Sequence, residues 1–431
     1  MRTAFVFSLL TACPALAGGL PDAPPEFPAQ DPMLVQLGWM LFYDPVLSGN
    51  REVACATCHH PKFGTSDGLS LGIGDGGMGL GPQRVADPAN PPEQRIPRNA
   101  PALFNLGATE FTTMFHDGRL EAKPDEPDGI RTPLGQEMVH GFSGVLSAQS
   151  MFPVLSGDEM AGHYSENDIS QAVRQGFLTG ETGAWARISA RVMAIPEYRE
   201  GFEKVTGGVP AQFTDISDAL AAFMALEWRA DDSPFDRHLR GAAPLTGAAL
   251  DGAELFYGAA GCSACHSGWF QTDHEFHAIA MPQIGPGKAA RFERHARDTG
   301  RMRVTGLAED AYAFRTPSLR NVAQTAPYGH AGAYASLEDA VRHHLDPLAA
   351  LRSYSLEQAR LPDLPVDDLR IMRDSREVEA ISRANQLRPV DLSDQDVHAL
   401  LAFLDSLTDT ASLAGRLGVP DAVPSGLPVP Q

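Results

Sequence analysis

A formal net charge of −20 over 431 residues disfavours nucleic acids and anionic membrane surfaces as partners, because they carry charge of the same sign. The hydrophobic fraction of 43% is ordinary for a globular chain, and the length allows two or three domains with a sizeable core. These values favour a soluble globular protein and do not indicate its fold.

The first 17 residues have the pattern of a secretory signal peptide. A positive start precedes an apolar run over residues 4–10, and small residues before Gly18 form a cleavage site. An alternative is processing at a lipoprotein-type sequence that would leave Cys13 acylated. Both interpretations predict export to the periplasm. No later apolar run approaches the roughly 20 residues of a membrane helix, so no transmembrane segment is predicted.

A predicted helix from Met33 to about Asp44 leads to the first of two Cys-x-x-Cys-His patterns. The patterns comprise Cys55, Cys58 and His59, and then Cys262, Cys265 and His266. Two thiols at this spacing can each bond one vinyl group of a porphyrin, and the histidine can bind its iron. A redox dithiol or a zinc site is the alternative, but neither requires the histidine. The patterns predict two covalently bound haem c groups and leave no cysteine pair for a disulfide.

Further elements follow from periodicity and capping residues. Clustered glycine and proline from 64 to 97 predict a long loop, interpreted as a flap over the first haem rather than a disordered insertion. Apolar faces at helical spacing comprise Ile169, Val173 and Phe177, and then Ile216, Leu220, Phe223 and Met224. Thr246 is the predicted N-cap of the helix before the second haem pattern, and Ser393 is that of the last helix.

Short patterns recur in the same order in the two halves of the chain. They are Leu41-Phe42-Tyr43 and Leu255-Phe256-Tyr257, then Arg98-Asn99-Ala100-Pro101 and Arg315-Thr316-Pro317, and finally His116-Asp117-Gly118 and His330-Ala331-Gly332. Three recurrences in order indicate a duplication. We therefore predict a mainly α fold with little β, made of two cytochrome-c-like haem domains at residues 18–243 and 244–431.

With these motifs on most of its length, the chain resembles the bacterial dihaem cytochrome c peroxidases and MauG. Segments that carry the resemblance include Phe115-His116-Asp117-Gly118-Arg119, Ser233-Pro234-Phe235-Asp236, Phe314-Arg315-Thr316-Pro317-Ser318-Leu319 and Thr325-Ala326-Pro327-Tyr328. The resemblance implies a peroxide-reacting haem in the N-terminal domain and an electron-entry haem in the C-terminal domain. It also implies a calcium ion between them.

The resemblance assigns roles to individual residues. Asn99 matches a calcium-binding asparagine, and Thr325 and Pro327 match residues that offer backbone carbonyls to the ion, which prefers oxygen ligands. Glu137 matches the acid on the distal side of the peroxide-reacting haem, where a carboxylate can move a proton between the peroxide oxygens. Without the resemblance, Asn99 is a turn residue and Glu137 a solvated surface charge.

Two positions near the first haem depart from the family pattern. The peroxidases carry a distal histidine in the loop after the first haem. The matching position in this chain falls near Asp75, and no histidine lies between His60 and His116. We therefore expect the first iron to be open or water-bound, with Met78 as the only soft side chain in that loop. His116 itself stands where the family usually has tryptophan.

A third departure concerns the second haem. Ser336 caps a predicted helix whose apolar face comprises Leu337, Ala340, Val341 and His344. The family has methionine or tyrosine at the position of His344, so His344 is the predicted sixth ligand of the second haem, with His330 as its rival. His343, turned about 100° away, is predicted to face solvent.

The sequence thus predicts a periplasmic dihaem c-type peroxidase that reduces hydrogen peroxide to water with electrons from a small periplasmic cytochrome c or cupredoxin. Its predicted catalytic residues are His59 and Glu137. One alternative is a MauG-like dihaem oxidase acting on a partner protein or organic substrate, and another is a non-enzymatic dihaem electron carrier. Oligomeric state stays open, with a homodimer as one option, and residues 345–389 form an insertion of unassigned role.

Overall fold

A computed structural model describes residues 19–431 except 22, 164, 289–292 and 294. The predicted signal peptide, residues 1–17, lies outside the described residues, as does Cys13. Among the helices that are described, none combines the length and the hydropathy needed to cross a membrane.

Short helices make up most of the regular structure. The first half contains α1 (Pro32–Tyr43), α2 (Cys55–Cys58), α3 (Val145–Ser150), α4 (Asp168–Arg174), α5 (Ala184–Met193), α6 (Pro196–Val205), α7 (Phe213–Glu227) and α8 (Pro234–Leu239). The second half contains α9 (Ala248–Tyr257), α10 (Met302–Thr305), α11 (Leu337–Leu345), α12 (Pro347–Ser353), α13 (Ser375–Ala384), α14 (Asp394–Asp405) and α15 (Thr410–Leu413). Short 3₁₀ turns and one π-helix, Gly157–Ala161, lie between them.

The β-structure consists of very short antiparallel strands. They are β1 (Gly77–Met78) paired with β2 (Val85–Ala86), β3 (Thr113–Met114), β4 (Leu120–Ala122) and β5 (Ile130–Arg131) in one small sheet, and β6 (Phe276–His277) paired with β7 (Phe314–Arg315). The predicted mainly α fold with little β is confirmed.

Each half is built around one pair of tightly crossed helices, α1 with α7 and α9 with α14. A Cβ atom on Gly38 of α1 would overlap the carbonyl of Ala219, and a Cβ atom on Gly252 of α9 would overlap the carbonyl of Ala399. Glycine is therefore required at both crossings, because any side chain would push the helices apart. The same contact in both halves supports the predicted duplication.

The segment after α15 packs on the first half of the chain. The indole N–H of Trp39 donates to the carbonyl of Gly418 over 2.7 Å, and the hydroxyl of Ser425 donates to Asp44 over 2.6 Å. Val423 is buried in the same core. The boundary at residues 243/244 stays a prediction, since the end of the chain contributes to the core of the other half.

The predicted flap and the insertion pack against each other. Residues 64–76 are all buried, and the Arg95 guanidinium forms a buried ion pair of 2.9 Å with Asp368 of the insertion. Only the end of the loop, at Ile96, lines the cavity beside the first haem motif. The first part of the loop, residues 64–76, is therefore a buried layer, while most residues from 77 to 97 are exposed or half-buried.

Local predictions of helix ends had mixed outcomes. Ser393 caps α14 as predicted, because its hydroxyl accepts from the N–H of Asp396. The predicted Thr246 cap is wrong: Gly247 is the N-cap of α9 and makes no side-chain bond. Phe177 was predicted to be buried, but α4 ends at Arg174 and the Phe177 side chain is 57% exposed.

Candidate active site

The first haem motif forms a single helical turn, α2, that brings its three side chains together. The backbone N–H of His59 donates to the carbonyl of Cys55 over 3.0 Å and closes the turn. The Nδ1–H of His59 donates to the carbonyl of Thr65 over 3.0 Å, which leaves Nε2 as the electron-pair donor for a metal. Burial lowers the pKa of His59, so its ring is held in the neutral form that binds iron.

The second motif repeats this arrangement in a 3₁₀ turn, Cys262–Ala264. The backbone N–H of His266 donates to the carbonyl of Cys262 over 2.9 Å, and its Nδ1–H donates to the carbonyl of Gln271, also over 2.9 Å. Burial and the neighbouring His344 lower the pKa of His266 to about 4. Both motifs therefore present a neutral imidazole with a free Nε2.

A cavity adjoins the first motif. Its lining is largely apolar and includes Cys55, Cys58, His59, Phe42, Leu47, Val53, Ile96, Leu103, Phe115, Pro153, Val154, Met160, Leu220 and Met224. Burial raises the pKa of both Cys55 and Cys58 to about 12. A zinc site needs thiolates, whereas thioether bonds to a porphyrin remove the need for charge. The residues therefore fit a covalently held haem better than a metal ion.

One carboxylate, Glu159, lines this cavity. It lies in the π-helix Gly157–Ala161, whose backbone is held by the N–H of Gly49 donating to the carbonyl of Met160 over 2.7 Å. Burial raises the pKa of Glu159, while Lys288 and Arg119, which line the same cavity, oppose that rise. The cavity thus holds a half-buried acid together with two cationic side chains that favour its charged form.

Glu137, the acid predicted from the sequence, lies elsewhere. It belongs to the exposed 3₁₀ turn Gly135–Glu137 and is absent from the cavity lining. Glu137 and Glu159 are each followed by methionine, and this shared dipeptide is the signal that could have drawn attention to Glu159. Glu159 and not Glu137 is therefore the carboxylate that lines the cavity, and the role of Glu137 as the distal acid stays a prediction.

The side chains predicted near an open sixth position do not line the cavity. Asp75 is buried outside it, and Met78 is 45% exposed on β1. His116 does line the cavity, but its Nε2–H donates to the carbonyl of Asn99 over 3.0 Å. Burial and the Arg98 charge lower the pKa of His116 to about 4. An iron held by His59 therefore has no second histidine Nε2 available from the lining.

At the second motif, His344 of α11 lies opposite His266. The centres of the two rings are 6.4 Å apart, and their planes are inclined by 58°. The Nδ1–H of His344 donates to the carbonyl of Ala340 over 2.7 Å, so Nε2 remains for a metal. The rival His330 instead stacks on Phe314, with ring centres 3.7 Å apart.

His343 was predicted to face solvent, and this is wrong. It is fully buried: the hydroxyl of Tyr334 donates to its Nδ1 over 2.9 Å, and its Nε2–H donates to the carbonyl of Ile279 over 2.8 Å. These partners come from segments outside α11 and cover the face that periodicity assigned to water. They also fix the helix that carries His344.

The residues expected to hold calcium lie where the two halves meet. The backbone N–H of Asn99 donates to the carbonyl of His330 over 2.9 Å, and its buried side-chain amide donates to the carbonyl of Leu69 over 2.8 Å. Thr325 approaches Gly64 from the other half. Pro327 lies two residues after Thr325, and a calcium ion held by these residues stays a prediction.

Comparison with known proteins agrees with this geometry. The family model of the di-haem cytochrome c peroxidases matches residues 32–244. The methylamine utilization protein MauG of Methylorubrum extorquens is 29% identical over 382 residues, which are 87% of this chain and 78% of that protein. The cytochrome c551 peroxidase of Pseudomonas aeruginosa is 29% identical over 311 residues, 71% of this chain and 70% of its own.

The fold leads to the same group of proteins. A crystal structure of a MauG-like protein associated with microbial copper homeostasis matches with a TM-score of 0.60 at 26% identity, covering 95% of this chain and 97% of that one. The family implies two c-type haems, in agreement with the two attachment motifs. The chain is a peroxidase-type oxidoreductase and belongs to the family of di-haem cytochrome c peroxidases and MauG proteins.

Proposed function

We propose that the protein reduces hydrogen peroxide to water in the cavity at His59, with two electrons supplied one at a time through the haem at His266. The observation that carries this proposal is Glu159, a half-buried carboxylate in the same cavity as the first haem motif. A pure electron carrier has no use for such an acid beside an open coordination position.

Cys55, Cys58 and His59 would hold a haem, which would supply an iron able to reduce the O–O bond. Glu159 is placed to take the proton from one peroxide oxygen and return it to the other, so that the second oxygen leaves as water. For this the carboxylate must start ionised. Lys288 and Arg119 oppose the effect of burial on the pKa of Glu159 and favour that state.

The apolar wall of the cavity and its few polar groups suit a small substrate. Gln149 of α3 lines the cavity with Glu159, and its amide offers both a donor and an acceptor to a peroxide. The surrounding side chains, such as Pro153 and Met160, limit the water that competes for the site. Binding and proton transfer thus depend on residues contributed by α3 and the π-helix.

We place the protein in the periplasm because of its N-terminal leader pattern and its c-type haem motifs. The proposed electron donor is a small cytochrome c or cupredoxin. The formal net charge of −20 favours a donor with a basic surface, since opposite charges speed encounter. A calcium ion held by Asn99, Thr325 and Pro327 would join the two halves between the haems.

The MauG-like alternative is favoured by one observation, the placement of His344 opposite His266. Histidine in place of methionine stabilises ferric iron and lowers the potential of the entry haem. Electron entry from a high-potential donor is then uphill in the resting protein. A protein of this kind would instead hold oxidising equivalents on both haems and withdraw electrons from a partner protein or organic substrate.

Stopped-flow spectroscopy of the holoprotein separates the two activities. The protein is mixed with hydrogen peroxide in the presence and absence of a reduced small cytochrome c. We expect rapid oxidation of the cytochrome with repeated turnover. A long-lived oxidised state of both haems without cytochrome oxidation would overturn the peroxidase proposal in favour of the oxidase. If the protein does not react with peroxide at all, the hypothesis of a non-enzymatic electron carrier is favoured.

A further inference from the structure

A second cluster of ligand-type side chains lies outside the haem cavity. Asp75, His163 and Glu166 each offer one ligand atom, and these atoms all lie within 4.8 Å of one another. None of the three lines the cavity at His59. Asp75 and His163 are buried and Glu166 is exposed, so the cluster has a closed inner side and one side open to solvent.

His163 is the least satisfied member of the cluster. Its side chain is only 5% exposed, and its Nε2 has no hydrogen-bond partner. The nearest charged group is the Asp75 carboxylate, with 3.3 Å between Nδ1 and Oδ2. Leaving a buried polar group without a partner is costly, so an imidazole in this state points to a missing ligand.

The two carboxylates converge on a single point, at which the side-chain amide nitrogen of Asn50 now lies. This nitrogen is 3.1 and 3.2 Å from the two Asp75 oxygens and 2.7 Å from Oε1 of Glu166. A cation at this position would take the place of the amide nitrogen between the two carboxylates.

We propose that Asp75, His163 and Glu166 bind a divalent first-row transition-metal ion of the Zn²⁺ type. One imidazole with carboxylate oxygens suits Zn²⁺, whereas calcium takes oxygen ligands and would leave the imidazole unused. Two carboxylates balance the charge of the ion. The exposed Glu166 provides the path of entry.

The proposed ion would join two segments that support the peroxide cavity. His163 follows the π-helix Gly157–Ala161, which contains Glu159. Asp75 follows Gly74, where a Cβ atom would overlap the carbonyl of Asp158 and that of Glu159. The ion would therefore fix the backbone on both sides of Glu159 without contacting the substrate.

The test is zinc uptake by the holoprotein. Wild type, His163→Ala, Glu166→Gln and the control His140→Ala are dialysed against Zn²⁺ and their metal content is measured by mass spectrometry. His140 pairs with Asp128 over 2.8 Å on the surface, so it reports on ordinary surface binding. We expect wild type and the control to hold one more zinc per chain than the two cluster variants. Equal zinc content in all four proteins would overturn the proposal.

Two further measurements keep the test decisive. Haem absorbance checks the fold of each variant, and if the buried His163→Ala does not fold, the exposed Glu166→Gln decides. Zinc-edge X-ray absorption of the wild type should show nitrogen and oxygen ligands at about 2.0–2.1 Å. An excess of Ca²⁺ should leave the zinc in place, and its displacement by Ca²⁺ would show an oxygen-only site and refute the assignment.

Discussion

The imidazole rings of His266 and His344 face each other with their centres 6.4 Å apart. Two imidazoles that bind one metal from opposite sides, with metal–nitrogen bonds of about 2 Å, have ring centres about 6 Å apart. Each ring uses Nδ1 to donate to a backbone carbonyl, of Gln271 and of Ala340, and keeps Nε2 free. This separation is compatible with axial ligation of the second haem by the pair, which stays a prediction.

Replacing His344 by methionine should raise the midpoint potential of the C-terminal haem by on the order of 0.1 V, because a thioether favours ferrous iron relative to imidazole. Spectroelectrochemical titration of the two proteins measures the change. His330→Ala is the matched control, since His330 stacks on Phe314 and should leave the potential in place. If His344→Met has the wild-type midpoint, His344 is not the ligand, and the case for a MauG-like activity loses its basis.

Replacing Glu159 by glutamine should slow the reaction with peroxide by about 10²-fold or more, the scale of a lost acid–base group, while both haems stay bound. Glutamine keeps the size of the side chain and removes its ability to carry a proton. The single-turnover rate constant with peroxide is the measurement. Glu137→Gln is the control, because Glu137 has the same following residue but lies on the surface. A slow Glu137→Gln with a normal Glu159→Gln would restore the assignment made from the sequence.

The haem motifs and the helix caps were predictable because they are local. The spacing of Cys55, Cys58 and His59 is sufficient to indicate haem attachment. The Ser336 and Ser393 hydroxyls accept hydrogen bonds within the first turn of their own helices. The choice between Glu137 and Glu159 depends on which of two similar dipeptides reaches the cavity. That is set by the π-helix and by contacts from distant segments, which no local pattern contains.

Helical periodicity had a similar limit at α11. It correctly separated His343 from His344 by about 100°. It could not show that Tyr334 and Ile279 cover the His343 face, because these contacts belong to the tertiary structure. The cluster at His163 could not be recognised from the sequence either, because Asp75 and Glu166 are far apart in the chain and come together only in the folded structure.

The insertion should contribute to stability through one buried ion pair. Nε of Arg95 lies 2.9 Å from Oδ1 of Asp368, and the two side chains are only 3% and 7% exposed. Asp368→Asn would leave the guanidinium buried without a counter-charge, at a cost of about 3–5 kcal/mol in the free energy of unfolding. The neighbouring Asp367 pairs with Arg373 on the surface, so Asp367→Asn should cost less than about 1 kcal/mol. Denaturant unfolding measures the free energy of unfolding of both variants. Equal losses would show that the buried ion pair does not stabilise the packing of the insertion.

The last prediction concerns acid stability and His330. Burial lowers the pKa of His330 from its usual 6.5 to about 3. Between these values the unfolded chain binds a proton that the folded chain does not, so stability is fully present above about pH 6.5 and is lost as the pH falls. One such group contributes a slope of up to about 1.4 kcal/mol per pH unit.

His330→Leu should remove that slope, because leucine does not titrate and the Nε2 of His330 has no hydrogen bond to lose. The free energy of unfolding is measured at pH 7, 6, 5 and 4 for wild type, His330→Leu and the surface control His140→Gln. Asp298, Arg98 and His116 act on His330, and all three remain in the variant, so the difference from wild type isolates the histidine. We expect wild type to lose stability relative to His330→Leu as the pH falls below about 6.5, while the control stays parallel to wild type. Parallel curves for all three proteins would mean that His330 takes up its proton in the folded state as readily as in the unfolded chain.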